Sequence, residues 1–246
     1  MLPTKCSQEF CSEIIAFVRK FFSSLAEPEL RRVVISSLTL GGACGIFALS
    51  FGVASVTAGA SVWQTCALSL FVFTGASQFS AMSVVGAGGS LVAAYGGAVL
   101  LAARNFVYGL ALSSSAKEMA GNFPRRMFAS HFVIDETTAL ALGETSPRLR
   151  KVAFWTTGIG LFTFWNLGTL IGALAGNAID PQKLGLDIAF PAAFIAMLTP
   201  HLRTKFGRQA ALLGGALCLI SISFLPIGMP ILVAVLAVLI GVQRAE

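Results

Sequence analysis

From Val33 to Ala103 the chain carries no Asp, Glu, Lys, Arg or His, a run of 71 residues without an ionisable side chain. One membrane helix needs only about 20 apolar residues, so the run divides into three passes at 33–56, 62–85 and 90–115. Gly59 and Ser61 mark the first turn, and the Gly86–Ala87–Gly88–Gly89 cluster marks the second. Apolar stretches recur at 127–142, 152–179, 186–200 and 209–243. Pro226 and Pro230 cut the last of these in two, because proline lacks the backbone donor that a helix needs. The pattern predicts an all-α membrane protein, a polytopic bundle of seven or eight transmembrane helices over 31–246. Ahead of it, Phe10, Ile14, Phe17, Phe21 and Leu25 recur at helical spacing, which reads as an amphipathic helix at the membrane surface within residues 1–30. Acidic and basic residues interrupt that segment too often for a signal peptide.

The helix count turns on 127–142. Basic clusters at Arg31–Arg32, 148–151 and 203–208, with Arg244, are expected on one, cytoplasmic, face. That needs an even number of crossings between Arg32 and Arg148, which makes 127–142 a span and gives eight helices with both ends inside. Sixteen residues is short for a span, however, and Arg125 and Arg126 would then lie outside. The alternative is seven spans with 127–142 re-entrant or interfacial. Phe51–Gly52, Phe73 and Gly96–Gly97 also have counterparts in Leu167–Gly168, Phe190 and Gly214–Gly215, offset by 116 to 118 residues. The bundle therefore admits two related three-helix halves, as transporters often do.

Composition sharpens the picture. Charged residues are 11% and hydrophobic residues 56%, against roughly a quarter charged in an average soluble domain. The net charge of +6 sits in short clusters between apolar runs, which excludes a nucleic-acid partner and fits membrane loops. Five cysteines form no metal-ligand spacing, and three lie inside apolar runs as small fillers. No Walker A, H-E-x-x-H, G-x-S-x-G or dinucleotide fingerprint is present. No enzyme activity and no cofactor are expected, and any pumping draws on an ion or solute gradient.

The polar residues inside apolar sequence are the candidates for chemistry. Gly75, Ser77 and Gln78 lie in Phe73–Thr74–Gly75–Ala76–Ser77–Gln78–Phe79. They fit either a broken helix lining a cavity for a zwitterion or close helix–helix packing. Arg104 and Asn105 are followed one turn later by Tyr108, so guanidinium and phenol share a helix face. The guanidinium fork suits a substrate carboxylate, an internal acid or the interface. In His131–Phe132–Val133–Ile134–Asp135–Glu136, adjacent carboxylates point about 100° apart on a helix. One is expected to pair with Arg104 while the other serves a coupling proton, with His131 one turn from Asp135. Trp165–Asn166 puts an amide mid-span, and Phe190–Pro191 would break a helix near mid-membrane.

These residues resemble the AzlC family, the large subunit of bacterial branched-chain amino-acid exporters. The resemblance runs over most of 33–243. It rests on Phe47–x–x–Ser50–Phe51–Gly52, Phe73 to Phe79, Arg104–x–x–x–Tyr108, Ile134–Asp135–Glu136–Thr137 and Gly185 to Pro191. It implies export of valine, leucine or isoleucine across the inner membrane with a small hydrophobic AzlD-type partner. On the export reading, Gly75, Ser77, Gln78, Arg104, Asn105, Tyr108 and Phe190 are the candidate substrate contacts, with Phe73, Phe79 and Phe106 beside Phe190 in the apolar pocket, and Asp135 or Glu136 carries the coupling proton. One departure stands out: the family's Asn–x–Arg–His element has Ala102 in place of its Asn and Asn105 in place of its His.

Overall fold

The computed structural model describes residues 27–176 and 201–237, with 195, 198 and 199 between them. The amphipathic leader and the Gly185–Pro191 motif lie outside the described residues. All regular structure among the described residues is helical. Helix α1 (Pro28–Thr57) starts on a proline, whose missing N–H costs nothing in a first turn. Next come α2 (Val62–Phe71), opened by a Ser61–Gln64 capping box, α3 (Gly75–Gly86), and α4 (Leu91–Leu112), capped by Ser90. After a 3₁₀ turn follow α5 (Ala116–Ala120), α6 (Phe123–Ser130), α7 (Asp135–Leu142) and α8 (Pro147–Ala175). Helices α9 (Lys205–Ile222) and α10 (Met229–Ala234) close the described chain.

Three of these are long and apolar enough to cross a membrane: α1, α8, and α4 continued through Ala120. Helices α2 and α3 do not form a fourth. Ten residues at 1.5 Å each give α2 about 15 Å, roughly half a bilayer core. It begins beside the end of α1, where the Ser55 and Thr65 hydroxyls meet at 2.8 Å. The chain breaks at Val72–Thr74 level with the middle of α8, where Gly75 abuts the Trp165 ring. Helix α3 then returns until Gly86 abuts Ala58. The segment is a re-entrant hairpin.

A second hairpin enters from the opposite face. Trp155 Nε1 donates to Met119 O at 2.9 Å and Arg150 to Ser115 Oγ at 2.8 Å, which sets the end of α4 beside the start of α8. Helix α6 climbs from there to a break at 131–134, where Phe132 abuts Gly158. Helix α7 descends until Glu144 takes Arg32 at 2.8 Å. The two tips meet: the Phe73 ring stacks on His131 at 5.8 Å and lies edge-on to Phe132 at 6.3 Å. Residues 62–112 and 123–175 are thus each a broken hairpin followed by a long helix, running in opposite senses.

This arrangement corrects the expectation that 127–142 spans and completes eight helices; the segment is re-entrant, and so is 62–86. The parity inferred from charge is nonetheless met by α1 and α4 alone. Arg32 with Glu144, and Arg148 with Glu27 at 3.0 Å, put both basic clusters on one face. Arg125 and Arg126, at the start of α6, join them there. Helices α1 and α8, matched by the 116-residue offset, pack side by side in the same direction, so an inverted relation does not join them. At its glycines their contact is backbone against backbone. A Cβ at Gly52 would strike Thr169 O, one at Gly168 would strike Gly45 O, and one at Gly172 would strike Leu49 O. Beneath this seam, Thr157 Oγ1 donates to Ser37 Oγ at 2.8 Å. Pro226 and Pro230 separate α9 from α10 as their spacing predicts, through a turn with Gly228 at φ 91°.

Candidate functional site

Both hairpin tips expose backbone carbonyls to an apolar interior, where an unpaired polar group is costly. Side chains of the returning half-helix answer them. Gln78, 1% exposed, donates through Nε2 to Leu68 O at 3.0 Å and Val72 O at 2.6 Å. Its Oε1 accepts from Trp165 Nε1 at 3.0 Å. In the second hairpin the Thr137 hydroxyl donates to Phe132 O at 2.6 Å and accepts from Ile134 N at 3.1 Å. The same device therefore stabilises both breaks.

Each long helix also ties the hairpin of the other unit. Helix α8 reaches Gln78 through Trp165; helix α4 reaches Asp135 through Arg104, whose Nη1 lies 2.9 Å from the carboxylate. The two side chains are 26% and 24% exposed. Asp135 and Glu136 occupy the first turn of α7, where exposed N–H groups and the helix dipole favour negative charge. Among the described residues Glu136 has no ion-pair partner. His131 rests on Phe73 and Phe162 rather than pairing with Asp135, because the break at 131–134 takes the two out of helical register.

Between the tips and α4 lies a cavity of about 530 Å³. Phe71, Phe73, Phe106, Leu110 and Val133 make its walls apolar, and Thr74, Asn105, Ser130 and His131 supply polarity. Asn105 Oδ1, Arg104 Nε and Thr138 Oγ1 are buried without a hydrogen-bond partner among the described residues. A buried polar atom left unpaired costs about 1–3 kcal/mol. Of these, Asn105 belongs to the cavity lining and Arg104 to the ion pair with Asp135; Ser80 Oγ and Arg150 Nε, outside the lining, are in the same state. The arrangement can hold an ammonium on Asn105 Oδ1, a carboxylate near the Arg104 guanidinium, and an aliphatic chain among the rings.

Of the residues singled out in the sequence, Phe73, Asn105, Phe106 and His131 line this cavity; Arg104, Asp135 and Glu136 are not among its lining residues. Gly75, Ser77 and Gln78 do not line it. They sit behind the first break, Gly75 under the Trp165 ring and Ser77 Oγ 3.1 Å from Thr74 Oγ1. Phe79 packs on Phe47 and Phe51 at 5.0 and 5.4 Å. Tyr108 lies one turn beyond Arg104 on α4, outside the lining, and Phe190 falls outside the described residues. Thr74, Ser130 and Gly109 were not foreseen as cavity lining. Asn166 Nδ2 donates to Phe162 O within its own helix at 2.8 Å.

Comparison with known proteins agrees with this picture of a membrane protein. The chain is 28% identical over 175 residues to an uncharacterized membrane protein of Archaeoglobus fulgidus, covering 70% of this chain and 75% of that one. It is 26% identical over 172 residues to an uncharacterized membrane protein of Helicobacter pylori strain 26695, covering 69% and 74%. It is also 26% identical over 188 residues to the inner membrane protein YgaZ of Escherichia coli K12, covering 73% and 76%. No solved structure matches. The model of the AzlC protein family matches residues 40–179, more than half of the chain, taking in both hairpins, α4, α8 up to its end and part of α1; the protein belongs to the AzlC family.

Proposed function

We propose that this protein is a multi-pass inner-membrane permease subunit that exports branched-chain aliphatic amino acids on an ion gradient, beside a small hydrophobic AzlD-type partner, and performs no covalent chemistry. The observation that carries the reading is a largely apolar cavity at the meeting point of two broken hairpins, with Thr74, Asn105, Ser130 and His131 as its polar lining and the buried Asn105 Oδ1 without a partner among the described residues. A cavity of about 530 Å³ falls within the range of roughly 300–1,000 Å³ typical of small-molecule sites. Its walls suit a branched aliphatic side chain and reject a charged one. Asn105 takes the ammonium. Arg104 offers its remaining donors to the carboxylate while staying tied to Asp135. Glu136 carries the coupling proton, since Asp135 is already committed to Arg104. Gln78 and Ser77 hold the first break in shape.

The test is leucine efflux from proteoliposomes carrying an imposed pH gradient, with and without the partner. Asn105→Leu keeps the side-chain volume but removes the acceptor, so it should raise the half-saturating leucine concentration while the protein stays folded. A folded Asn105→Leu variant with parental kinetics sinks the assignment. The self-contained Arg104–Asp135 pair favours one competing reading, a non-transporting scaffold whose polar groups only hold helices together. Absence of efflux from folded parental protein with its partner would select that reading.

A further inference from the structure

A second chamber, of about 240 Å³, lies between the end of α4, α5 and α6 on the basic face. It shares Gly109, Ser130 and Val133 with the larger cavity, so the two spaces adjoin at one neck. Buried Leu112, Met119 and Phe154 form its walls, and the exposed Arg126 stands among its lining residues. At the neck Gly109 has free space: a Cβ there would meet no atom within 4 Å. On the other side of the first tip, Phe47, Phe51, Phe79 and Trp165 pack ring against ring with centroids 5.0–6.4 Å apart, and close the way to the opposite face.

We propose that the smaller chamber is the access route between the basic face and the larger cavity, and that the solute passes through the open space beside Gly109. The inference rests on the permease reading and adds the route to it. A zwitterion with an aliphatic side chain matches the path. Its carboxylate is drawn to Arg126, and its apolar part slides along Met119 and Leu112 to the rings beyond. Any bulk at position 109 projects into the neck, whereas the single methyl of alanine fits.

The experiment labels Gly109→Cys with a membrane-impermeant methanethiosulfonate, in a chain whose own five cysteines are replaced and in vesicles of both orientations. Labelling from the basic face alone is the expected result. Labelling from the opposite face, from both faces, or from neither in a variant that elutes as folded protein overturns the route. That readout needs no transport, so it stands apart from failure of the permease reading. In efflux, Gly109→Trp should abolish transport. Arg126→Gln should raise KM about two- to fivefold with kcat unchanged, the range expected of one exposed charge. Export undiminished by Trp at position 109 equally overturns the proposal.

Discussion

Replacing Gln78 by leucine separates a residue that holds a helix break from one that touches solute. In the structure the amide makes three bonds at 2.6–3.0 Å. Leu68 O keeps the bond from Val72 N, and Val72 O keeps the one from Thr74 N, so neither carbonyl is orphaned by the change. Each lost bond to them costs about 0.6 kcal/mol, the average for such pairs between membrane helices. The Trp165 N–H is left with no acceptor among rings, and a buried donor in that state costs about 1–3 kcal/mol. The sum is about 2–4 kcal/mol, enough to remove much of the folded population of a marginally stable protein. Thermal unfolding in detergent measures it, and a double-mutant cycle with Trp165→Phe isolates the pairwise part. In the Trp165→Phe background the donor is already gone, so Gln78→Leu should cost about 1–3 kcal/mol less. Export per folded molecule should keep the parental KM. A variant as stable as the parent, or strictly additive with Trp165→Phe, refutes the reasoning; so does a stable variant whose KM rises.

Three further outcomes follow from the same geometry. Gly172→Ala places a methyl against Leu49 O in the α1–α8 seam, and should cost more than about 2 kcal/mol, the upper part of the overpacking range; gel filtration after solubilisation would register the loss of folded protein. Asp135→Asn leaves the Arg104 guanidinium without its ion-pair partner. It should lower the yield of folded protein, and adding Arg104→Leu should restore the yield but not efflux, because only the pair is self-compensating. Arg125→Cys and Arg32→Cys, each in the cysteine-free chain, should react with an impermeant thiol reagent from the same side of the membrane. Reaction from opposite sides would restore 127–142 as a span.

Much of the site could be read directly in the sequence. Gly75 and Gln78 within an apolar run offered a broken helix as one of two readings, and Arg104 admitted an internal acid as one of its partners, which Asp135 supplies. The parity of crossings followed from where Arg32 and Arg148 stand. The re-entrant course of 62–86 did not show, because hydropathy counts side chains and takes no notice of backbone bonds. Twenty-odd apolar residues satisfy a length criterion whether they cross or turn back, and the turn is stabilised by one amide and one indole that are 87 residues apart in the chain. The segment 127–142 was too short to cross, and that shortness was the clue to its re-entry. Which way Gln78 points was also hidden: a break resets the helical phase, so spacing counted across Val72–Thr74 carries no facing information.

The glycine seam between α1 and α8 limits how this molecule can change shape. Where side chains interlock, neighbouring helices can slip by moving between rotamers. Where carbonyl oxygens lie 2.1–2.3 Å from the point a Cβ would occupy, a shift of a single residue's rise, about 1.5 Å, drives one backbone into the other. These two helices therefore travel as one body. On the permease reading proposed above, alternation of access between the two faces would fall to the short half-helices hinged at their breaks, whose tips touch through the Phe73–His131 stack.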